Sequence, residues 1–398
     1  MNKKIILNAA AALLITISAM ANATWTIKNL GTLGASNPYA FASAINDSGV
    51  AVGASSIPSA FPFIATNHAF ISYPGSTGLA DLGTLSGIGG SAARGINSSG
   101  QVVGESSAAD RTKHAFITGT NGIGMTSLPY PDDALMMSAQ SINDSGQVTG
   151  WVLNFRGYTY PCPGCEGTEY YESYGYITGA NGIGMTKLDT LGGPETYSYD
   201  INNSGQVTGV SSIAGGASRH AYITGPNGAG ITDLGTLGGT DSEAWGINDF
   251  GRVTGSSFTA SNAVHAFITG PNGAGMIDLG TLGGNYSAAR GINNHGQVVG
   301  VSTTAEGIGH AFLTGVNGIG MTDLSLLAPV VAAGWTQLNP LSINNKGQIV
   351  GYGTLRGHSQ AFLLNTPDIS PVPESSTYAM LLVGLGLLFF RTKTELNS

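Results

Sequence analysis

Five histidines stand at equivalent places along this sequence, each directly before an Ala-Phe or Ala-Tyr pair: His68, His114, His220, His265 and His310. A zinc site needs imidazole nitrogens about 2.0–2.1 Å from one ion. Neighbouring β-sheets pack about 10 Å apart, so histidines that repeat from sheet to sheet meet only in the narrowest part of a channel. We therefore expect each ring nitrogen to bond a neighbouring backbone group, and we predict no metal site.

Acidic side chains offer a second route to chemistry. A glycosidase needs two carboxyl groups about 5–9.5 Å apart across a cleft. The candidates that fall outside any repeated pattern are Asp132, Asp133, Asp241 and Glu243, and nothing in the sequence places a pair of them across a groove. The chain also lacks a Gly-x-Ser-x-Gly elbow, a phosphate loop and a His-Glu-x-x-His helix. We predict no catalytic residue and no cofactor.

Two further sets of acidic residues recur with the repeats. Asp81, Asp233, Asp278 and Asp323 hold one repeated position, where we expect them to bond turns or strand edges. The Asn-Asp-Ser-Gly turns at Asn46 and Asn143 each have a single Asp and no distal Glu, so they lack the ligand set of a calcium loop. We predict Asx-type turns there, in which the Asn side chain bonds the backbone two residues on.

Aromatic residues that do not repeat are concentrated in the longest insertion, Trp151–Tyr174. Tyrosine offers a large apolar face with a polar tip, which suits a sugar ring or a partner protein. The predicted ligand-binding residues are Trp151, Phe155, Tyr158, Tyr160, Tyr170 and Tyr171. The alternative is a loop that packs on itself. In either case we predict a disulfide between Cys162 and Cys165, because an oxidising compartment favours one and no second cysteine pair supports a zinc site.

A longer signature shows which elements must position these residues. The pattern Ile-Asn-x-x-Gly-x-Val/Ile-x-Gly, with Ala for Val once, begins at Ile45, Ile96, Ile142, Ile201, Ile247, Ile292 and Ile343. The successive spacings are 51, 46, 59, 46, 45 and 51 residues. Repeats of this length indicate an array or a closed ring of supersecondary units. Residues common to every unit then build the unit, and chemistry is sought in what does not repeat.

One well-formed unit runs from Met276 to Thr314. Its predicted strands, with a Gly-Gly turn at Gly283–Gly284 between the first two, are Ile277–Leu282, Ser287–Ile292, Gln297–Ser302 and His310–Thr314. Four strands in each of seven units predict an all-β fold, a seven-bladed β-propeller with four-stranded blades. The main alternative is a right-handed β-solenoid, although solenoid coils are usually shorter and need end caps.

The order of strands at the two ends supports a closed ring. A short Asn-Gly loop joins each His-Ala-Phe strand to the next Leu-Gly-Thr-Leu strand, so we expect these two strands to form a hairpin within one blade. Trp25–Leu33 would then complete the last blade, Leu341–Leu364, and leave no long open sheet edge. A competing arrangement places the Leu-Gly-Thr-Leu strand innermost, with no shared blade.

Three runs carry a family resemblance: His-Ala-Phe, Asp-Leu-Gly-Thr-Leu-Gly-Gly and Gly-Ile-Asn-x-x-Gly-Gln-Val-Val-Gly. Together they resemble the HAF family of extracellular repeats over about Trp25–Leu364. The resemblance implies export and a repeat fold. It implies no particular activity.

The first 23 residues have the parts of a secretory signal. Lys3 and Lys4 precede an apolar stretch, and Ala21-Asn22-Ala23 is a small-x-small site, so we expect a signal peptidase to cleave after Ala23. An ordinary buried N-terminal helix is the alternative. The repeat domain then covers 24–366.

The last part of the chain resembles the PEP-CTERM sorting tail of Gram-negative bacteria. A linker, 367–377, carries Val372-Pro373-Glu374, and 378–398 holds a 13-residue apolar run, 378–390, followed by Arg391 and Lys393. The resemblance implies recognition by an exosortase-like enzyme that cleaves near the motif. Because a comfortable membrane span needs about 17–25 residues, we expect transient or C-terminal membrane association. A simple anchor is the alternative.

Composition limits the function further. Charged residues make up 10% of the chain, glycine 61 of 398 residues, and the net charge is −8. An acidic chain with no nucleic-acid motif does not bind nucleic acid through a basic surface. We predict an exported protein of the cell surface or extracellular matrix that binds polysaccharide or an envelope protein without catalysis. The alternatives are an enzyme that acts on polysaccharide with carboxylates at the propeller mouth, and a purely structural repeat.

Overall fold

The computed structural model describes residues 24–35, 38–58, 66–76, 78–110, 112–159, 168–216 and 218–366. The predicted signal peptide, Tyr160, the cysteine pair and the sorting tail with its motif lie outside these ranges. The strands all belong to one compact unit, Trp25–Asn365. Among the described residues, no helix has the length and apolar character that crossing a membrane requires.

The 28 strands of the described residues fall into groups of four, and neighbouring strands within a group pair antiparallel. Three four-stranded sheets and two eight-stranded sheets form, and each eight-stranded sheet joins two groups through one parallel residue pair, Met136–Lys113 or Val264–Tyr286. We call each group of four a blade and number the blades along the chain, 1 to 7.

The first four blades take the strands in chain order. Blade 1 contains β2 (Ala40–Ile45), β3 (Ala51–Ser56), β4 (Asn67–Ser72) and β5 (Ala80–Gly83). Blade 2 contains β6 (Ser91–Ile96), β7 (Val102–Ser107), β8 (Lys113–Thr118) and β9 (Met125–Ser127). Blade 3 contains β10 (Ala134–Ile142), β11 (Val148–Thr159), β12 (Thr168–Ile177) and β13 (Thr186–Lys187). Blade 4 contains β14 (Gly192–Ile201), β15 (Val207–Ile213), β16 (Arg219–Ile223) and β17 (Thr232–Asp233).

The remaining blades follow the same order until the last. Blade 5 contains β18 (Gly238–Ile247), β19 (Val253–Thr259), β20 (Val264–Thr269) and β21 (Met276–Asp278). Blade 6 contains β22 (Gly283–Ile292), β23 (Val298–Thr304), β24 (Gly309–Thr314) and β25 (Met321–Asp323). Blade 7 contains β26 (Trp335–Ile343), β27 (Gln348–Leu355), β28 (His358–Asn365) and β1 (Thr26–Gly31). A short helix, α1 (Ala328–Ala332), precedes β26.

The predicted β-propeller and its mode of closure are confirmed. β1 pairs antiparallel with β28, with Ile27 opposite Leu364, so the start of the chain completes the last blade. Each His-Ala-Phe strand pairs with a Leu-Gly-Thr-Leu strand, as β20 does with β21. The solenoid alternative is wrong, because the last blade contacts the first: the Asn344 side chain donates to the Asn46 carbonyl at 2.9 Å.

The strand that ends in Ile-Asn is innermost in every blade and lines a central channel. The arrangement with the Leu-Gly-Thr-Leu strand innermost is therefore wrong, since that strand is the outermost of its blade. The predicted Gly-Gly turn is also wrong: Gly283 and Gly284 begin β22, and Gly283 pairs with Thr304. Of the expected first strand, Ile277–Leu282, only Ile277 and Asp278 lie in the observed strand β21, Met276–Asp278.

Packing between blades explains the residues that repeat. The aromatic residue of each His-Ala-Phe-type strand is buried, with at most 1% of its surface exposed: Phe70, Phe116, Tyr176, Tyr222, Phe267, Phe312 and Phe362. The last Gly of the signature must lack a side chain, because a Cβ on Gly255 would lie 1.9 Å from the Glu243 carbonyl oxygen. The first Gly has a positive φ, 68° at Gly251, which favours glycine.

Candidate functional site

The asparagines of the Ile-Asn signature form a closed belt of hydrogen bonds around the channel. Each Nδ2 donates to the backbone carbonyl of the equivalent Asn in the next blade, at 2.9–3.1 Å. Its members are Asn46, Asn97, Asn143, Asn202, Asn248, Asn293 and Asn344. All seven are buried. The repeated asparagine therefore holds neighbouring blades together.

The same side chains make the predicted Asx-type turns. Oδ1 of Asn143 accepts hydrogen bonds from the backbone N–H groups of Ser145 at 3.1 Å and Gln147 at 3.0 Å. Asn46 does the same with Ser48 and Val50. This confirms the Asx-turn prediction at both positions.

Exposed carboxylates next to this belt also accept hydrogen bonds from neighbouring blades. Oδ1 of Asp47, Asp144 and Asp249 accepts a backbone N–H from the preceding blade at 2.8, 2.9 and 3.0 Å. Their Oδ2 atoms accept side-chain amides, as Asp47 does from Asn345 at 2.8 Å. These aspartates at the channel mouth thus contribute to blade packing.

The repeated histidines pair with the repeated aspartates, which corrects the expectation of a backbone partner. Nδ1 of His265 lies 2.8 Å from Oδ2 of Asp278 on the adjacent outermost strand. His68, His220 and His310 pair in the same way with Asp81, Asp233 and Asp323. His114 instead contacts Ser127 and Asp110. The predicted turn bonding of the aspartates is confirmed, since Oδ1 of Asp278 accepts the Gly280 N–H at 2.7 Å.

The predicted insertion is an extension of the blade 3 hairpin. β11 and β12 pair along their whole length: Thr149 lies opposite Ile177 at one end, and Thr159 lies opposite Thr168 at the other. The register shifts between Phe155 and Gly157. Strands of 12 and 10 residues are the result. We call the segment from Trp151 to Tyr174 the long hairpin. Its side chains sit on a paired, two-stranded scaffold wherever the structure describes it.

Three of the six predicted ligand-binding residues come together on one face of the long hairpin. The Phe155 ring centroid lies 5.4 Å from that of Tyr158 and 5.8 Å from that of Tyr171. Phe155, Tyr158 and Tyr171 are 37%, 53% and 38% exposed. Trp151 is half-buried and packs edge-on against Tyr197 of blade 4 at 5.8 Å. The backbone of Tyr170 lies opposite Gly157.

The other face of the long hairpin carries charge. Glu172 accepts hydrogen bonds from Arg156 and from Lys187, both at 2.7 Å, and Arg156 also pairs with Asp133 at 2.8 Å. The hydrogen bond from Lys187 is the largest cause that lowers the pKa of Glu172. Of the candidate carboxylates, Asp133 is therefore held in this network and Asp132 is exposed beside it. Charge on one face and aromatic rings on the other make the long hairpin two-sided.

The central channel contains a cavity of about 420 Å³. The residue two places before each signature Ile lines this cavity, and its type changes from blade to blade: Ser43, Arg94, Gln140, Tyr199, Trp245, Arg290 and Leu341. The fold of the blade does not require a particular residue type at this position, since polar, charged and apolar residues all occur there. The sequence reasoning missed this ring of varied residues, although the signature marks the position.

Three of these residues form a stacked ladder across blades 4, 5 and 6. The rings of Tyr199 and Trp245 stack at 4.5 Å with an 11° interplanar angle. The Arg290 guanidinium lies 4.3 Å from the Trp245 ring centroid. Glu243 lies near Tyr199, and burial is the largest cause that raises the pKa of Tyr199 and of Glu243.

Asp200 is a carboxylate on the channel wall that sequence reasoning also missed. It accepts hydrogen bonds from the Ser141 hydroxyl at 2.7 Å and from the N–H groups of Ile201 and Ile247, each at 2.9 Å. Burial raises its pKa to about 6 against these hydrogen bonds. The clue in the sequence is that the residue before the signature Ile is Ala, Gly or Ser in every other repeat.

A second cavity, of about 290 Å³, lies between blades 4 and 5. Arg219, Asp241 and Glu243 line it together with apolar and hydroxyl side chains. Asp241 accepts the Arg219 backbone N–H at 2.9 Å, and the Arg219 guanidinium pairs with Glu195. Two of the candidate carboxylates, Asp241 and Glu243, thus share one cavity.

Comparison with known proteins identifies the fold alone. No family model and no curated protein matches the chain. The acylaminoacyl peptidase of Pyrococcus horikoshii is 10% identical over 79% of this chain and 49% of its own, with a TM-score of 0.52. This chain thus spans about half of the peptidase's length. The GH74 enzyme of Niastella koreensis is 13% identical, covering 84% of this chain and 44% of that one, at a TM-score of 0.48.

A third solved structure is described as a β-propeller domain, that of the Trilobed protease from Pyrococcus furiosus. It is 10% identical and covers 75% of this chain and 99% of its own, at a TM-score of 0.37. The likeness to the peptidase, together with the strand pairing above, identifies this chain as a β-propeller. This likeness does not indicate an activity for the chain.

Proposed function

We propose that this chain is an exported, non-catalytic binding platform whose long hairpin binds polysaccharide. The observation that carries the proposal is the cluster of Phe155, Tyr158 and Tyr171 on one exposed face. Aromatic faces pack on sugar rings, and tyrosine hydroxyls add hydrogen bonds. Exposed apolar patches bounded by polar residues are typical of interaction sites.

The construction of the long hairpin supports the same function. The ladder between β11 and β12 and the ion pairs of Glu172 with Arg156 and Lys187 fix the backbone behind the aromatic cluster. A surface that is already ordered loses less conformational entropy when it binds. The blades provide the rigid base on which such a surface is displayed.

Pull-down with insoluble dextran, xylan and alginate beads tests the proposal. We expect the full-length chain to bind at least one of them. Combined Phe155→Ala, Tyr158→Ala and Tyr171→Ala substitution should then lower the affinity about tenfold or more, because each aromatic contact contributes about 0.5–1.5 kcal/mol. Tyr286→Ala is the matched control, since Tyr286 is 38% exposed on blade 6. The proposal is overturned if no polysaccharide binds, or if the control weakens binding equally.

Location belongs to the proposal as well. Residues 1–23 would direct export and be removed by signal peptidase, and the tail from Val372 onward would be cut by an exosortase-like enzyme after transient membrane association. Mass spectrometry of the mature protein should find Thr24 as its first residue and should find the apolar run 378–390 missing. A mature chain that retains Met1 or the intact tail would contradict this part.

A second candidate function is cleavage of polysaccharide, which the shared cavity of Asp241 and Glu243 favours. Burial raises the pKa of Glu243, and a glycosidase acid needs such a raised pKa. Incubation with the same polysaccharides should then release reducing ends or unsaturated products. Glu243→Gln should abolish that release, while Glu306→Gln, on an exposed turn, should not. Failure of the wild type to release any product removes this candidate.

A further inference from the structure

We propose that the central channel is a second binding site, separate from the long hairpin, and that it takes a small sugar acid through the carboxylate. The site consists of Arg290 and Arg94, with the Tyr199–Trp245 stack that orients Arg290. The inference is independent of the long hairpin, since none of the hairpin residues that the structure describes lines the channel cavity.

Arg290 is the central observation. Its guanidinium carbon lies 4.3 Å from the Trp245 ring centroid, yet among the described residues the guanidinium makes no hydrogen bond and no ion pair. A guanidinium carries five N–H donors in a planar fork. Here those donors belong to a half-buried side chain that lines a cavity of about 420 Å³. Donors that face a cavity and have no acceptor within the fold are available to a ligand that supplies the acceptors.

Contact with the Trp245 ring orients the guanidinium group of Arg290. Trp245 of blade 5 contacts Tyr199 of blade 4 at 4.5 Å and Arg290 of blade 6 at 4.3 Å, so side chains from both adjacent blades cover the indole. A ligand therefore cannot stack on Trp245 and must meet the free edge of the Arg290 guanidinium. Arginine bound on an aromatic face in this way presents two parallel N–H groups to a planar carboxylate.

Arg94 adds a second cation to the same cavity from blade 2. One of its terminal nitrogens bonds Glu105 at 3.2 Å, and its buried Nε has no partner among the described residues. Arg94 and Arg290 hold the same position of the signature in blades 2 and 6. The fold of the blade does not require arginine at this position, because other blades have serine, glutamine or leucine at the equivalent position.

The carboxylates of the channel do not satisfy these arginines. Asp200 already accepts three hydrogen bonds, and Asp47, Asp144 and Asp249 accept backbone N–H groups from neighbouring blades. Burial raises the pKa of Glu243 and the nearby charge of Arg290 opposes this, but among the described residues the two side chains form no ion pair. Among the described residues that line the cavity, Arg290 thus keeps its donors free while the carboxylates are engaged within the fold, so the carboxylate of a ligand binds at Arg290.

Size and the remaining lining indicate the class of anion. A cavity of about 420 Å³ falls in the range that holds small organic ligands. Ser43, Gln140 and Ser342 also line it and offer oxygen atoms to hydroxyl groups. A hexuronic acid combines one carboxylate with several hydroxyls on a single ring, and so matches both parts of the site.

Titration of the full-length chain with sodium D-glucuronate, followed by calorimetry and tryptophan fluorescence, tests the inference. We expect saturable binding of glucuronate and at least tenfold weaker binding of glucose, which lacks the carboxylate. Arg290→Gln should weaken glucuronate binding at least tenfold, and Arg290→Lys should restore little of it because lysine cannot bond bidentately. Arg356→Gln, at an exposed turn between β27 and β28, is the control and should leave the affinity unchanged.

Three further measurements complete the test. Arg94→Gln should also weaken binding, which keeps the inference testable if the Arg290 variants do not fold. Trp245→Phe should remove most of the fluorescence change. The alanine variants of the long hairpin should bind glucuronate as the wild type does, so failure of the polysaccharide proposal is distinguishable from failure here. Glucose binding as tight as glucuronate, unaltered binding by folded Arg290→Gln, or inorganic phosphate binding that glucuronate does not displace would overturn the inference.

Discussion

The carboxylate of Asp200 on β14 accepts a hydrogen bond from the backbone N–H of Ile247 on β18 at 2.9 Å and so joins blade 4 to blade 5. Blade 3 is joined to the same side chain through the Ser141 hydroxyl at 2.7 Å. Asp200 occupies a position where the other repeats have Ala, Gly or Ser. One unrepeated residue therefore ties three blades together on the channel wall.

Asp200 should make stability depend on pH. Its pKa is about 6 when folded against an ordinary 3.8, so the folded state holds a proton that the unfolded state has already released. The unfolding free energy should therefore fall as pH rises from about 4 to about 6.5, by roughly 3 kcal/mol from this group. Urea unfolding of the wild type and of Asp200→Asn across this range isolates the effect. The Asn variant should show a flatter profile, and equal slopes in both proteins would contradict the assignment.

Removal of one member of the asparagine belt should be costly. Asn202→Ala deletes the bond to the Asn248 carbonyl and leaves two turn N–H groups without their acceptor. We expect the unfolding free energy to drop by about 3 kcal/mol, measured by urea unfolding. Asn285→Ala is the control, because the exposed Asn285 side chain makes no hydrogen bond among the described residues, and it should cost under about 1 kcal/mol. Equal losses in the two variants would refute the role of the belt.

The last glycine of the signature should not tolerate a methyl group. Gly255→Ala places a Cβ 1.9 Å from the Glu243 carbonyl, so β19 and β18 must separate. Overpacking of this kind costs about 1–3 kcal/mol or more. A methyl group on Gly309, which meets open space, provides the comparison. Thermal unfolding should show a clear drop for Gly255→Ala alone, and no difference between the variants would reject the steric explanation.

Closure through β1 should depend on Leu30. This side chain is buried in a cluster that includes Ala40 and Phe70 of blade 1 and Val350 of blade 7. Leu30→Ala should lower the unfolding free energy by about 2–4 kcal/mol and increase aggregation, as the edge of β28 becomes unpaired more often. Light scattering and urea unfolding check both effects. Leu326→Ala, at an exposed leucine, should change neither, and a harmless Leu30→Ala would argue against closure by this strand.

The repeat made most of the architecture predictable. The Ile-Asn signature marked one strand of each blade, and the structure shows that this strand is the innermost. The loop between the His-Ala-Phe and Leu-Gly-Thr-Leu strands indicated their pairing, which extends to β1 and β28. The histidine partner was predicted wrongly, although His265 and Asp278 stand 13 residues apart, as do three other such pairs. That spacing was visible, but only the register of the outer hairpin shows that it brings the two side chains face to face.

The sites were less accessible to sequence reasoning, because their members are distant in the chain. Tyr199, Trp245 and Arg290 come from three blades and meet only once the ring is closed. The long hairpin was expected to be an inserted loop, since its polar residues obscure the alternation that places Phe155 opposite Tyr171. The aromatic residues were recognised for their composition, but the structure alone shows which of them share a face.

The pairing of β1 with β28 also sets the order of events during biosynthesis. The ribosome makes Thr26–Gly31 first and its partner strand, His358–Asn365, last among the strands, so the first-made segment waits for the end of translation. Blades 1 to 6 can assemble from contiguous stretches as they emerge, but blade 7 cannot. The ring therefore closes only once His358–Asn365 is present, and a polypeptide that stops before this strand leaves β1 without its partner.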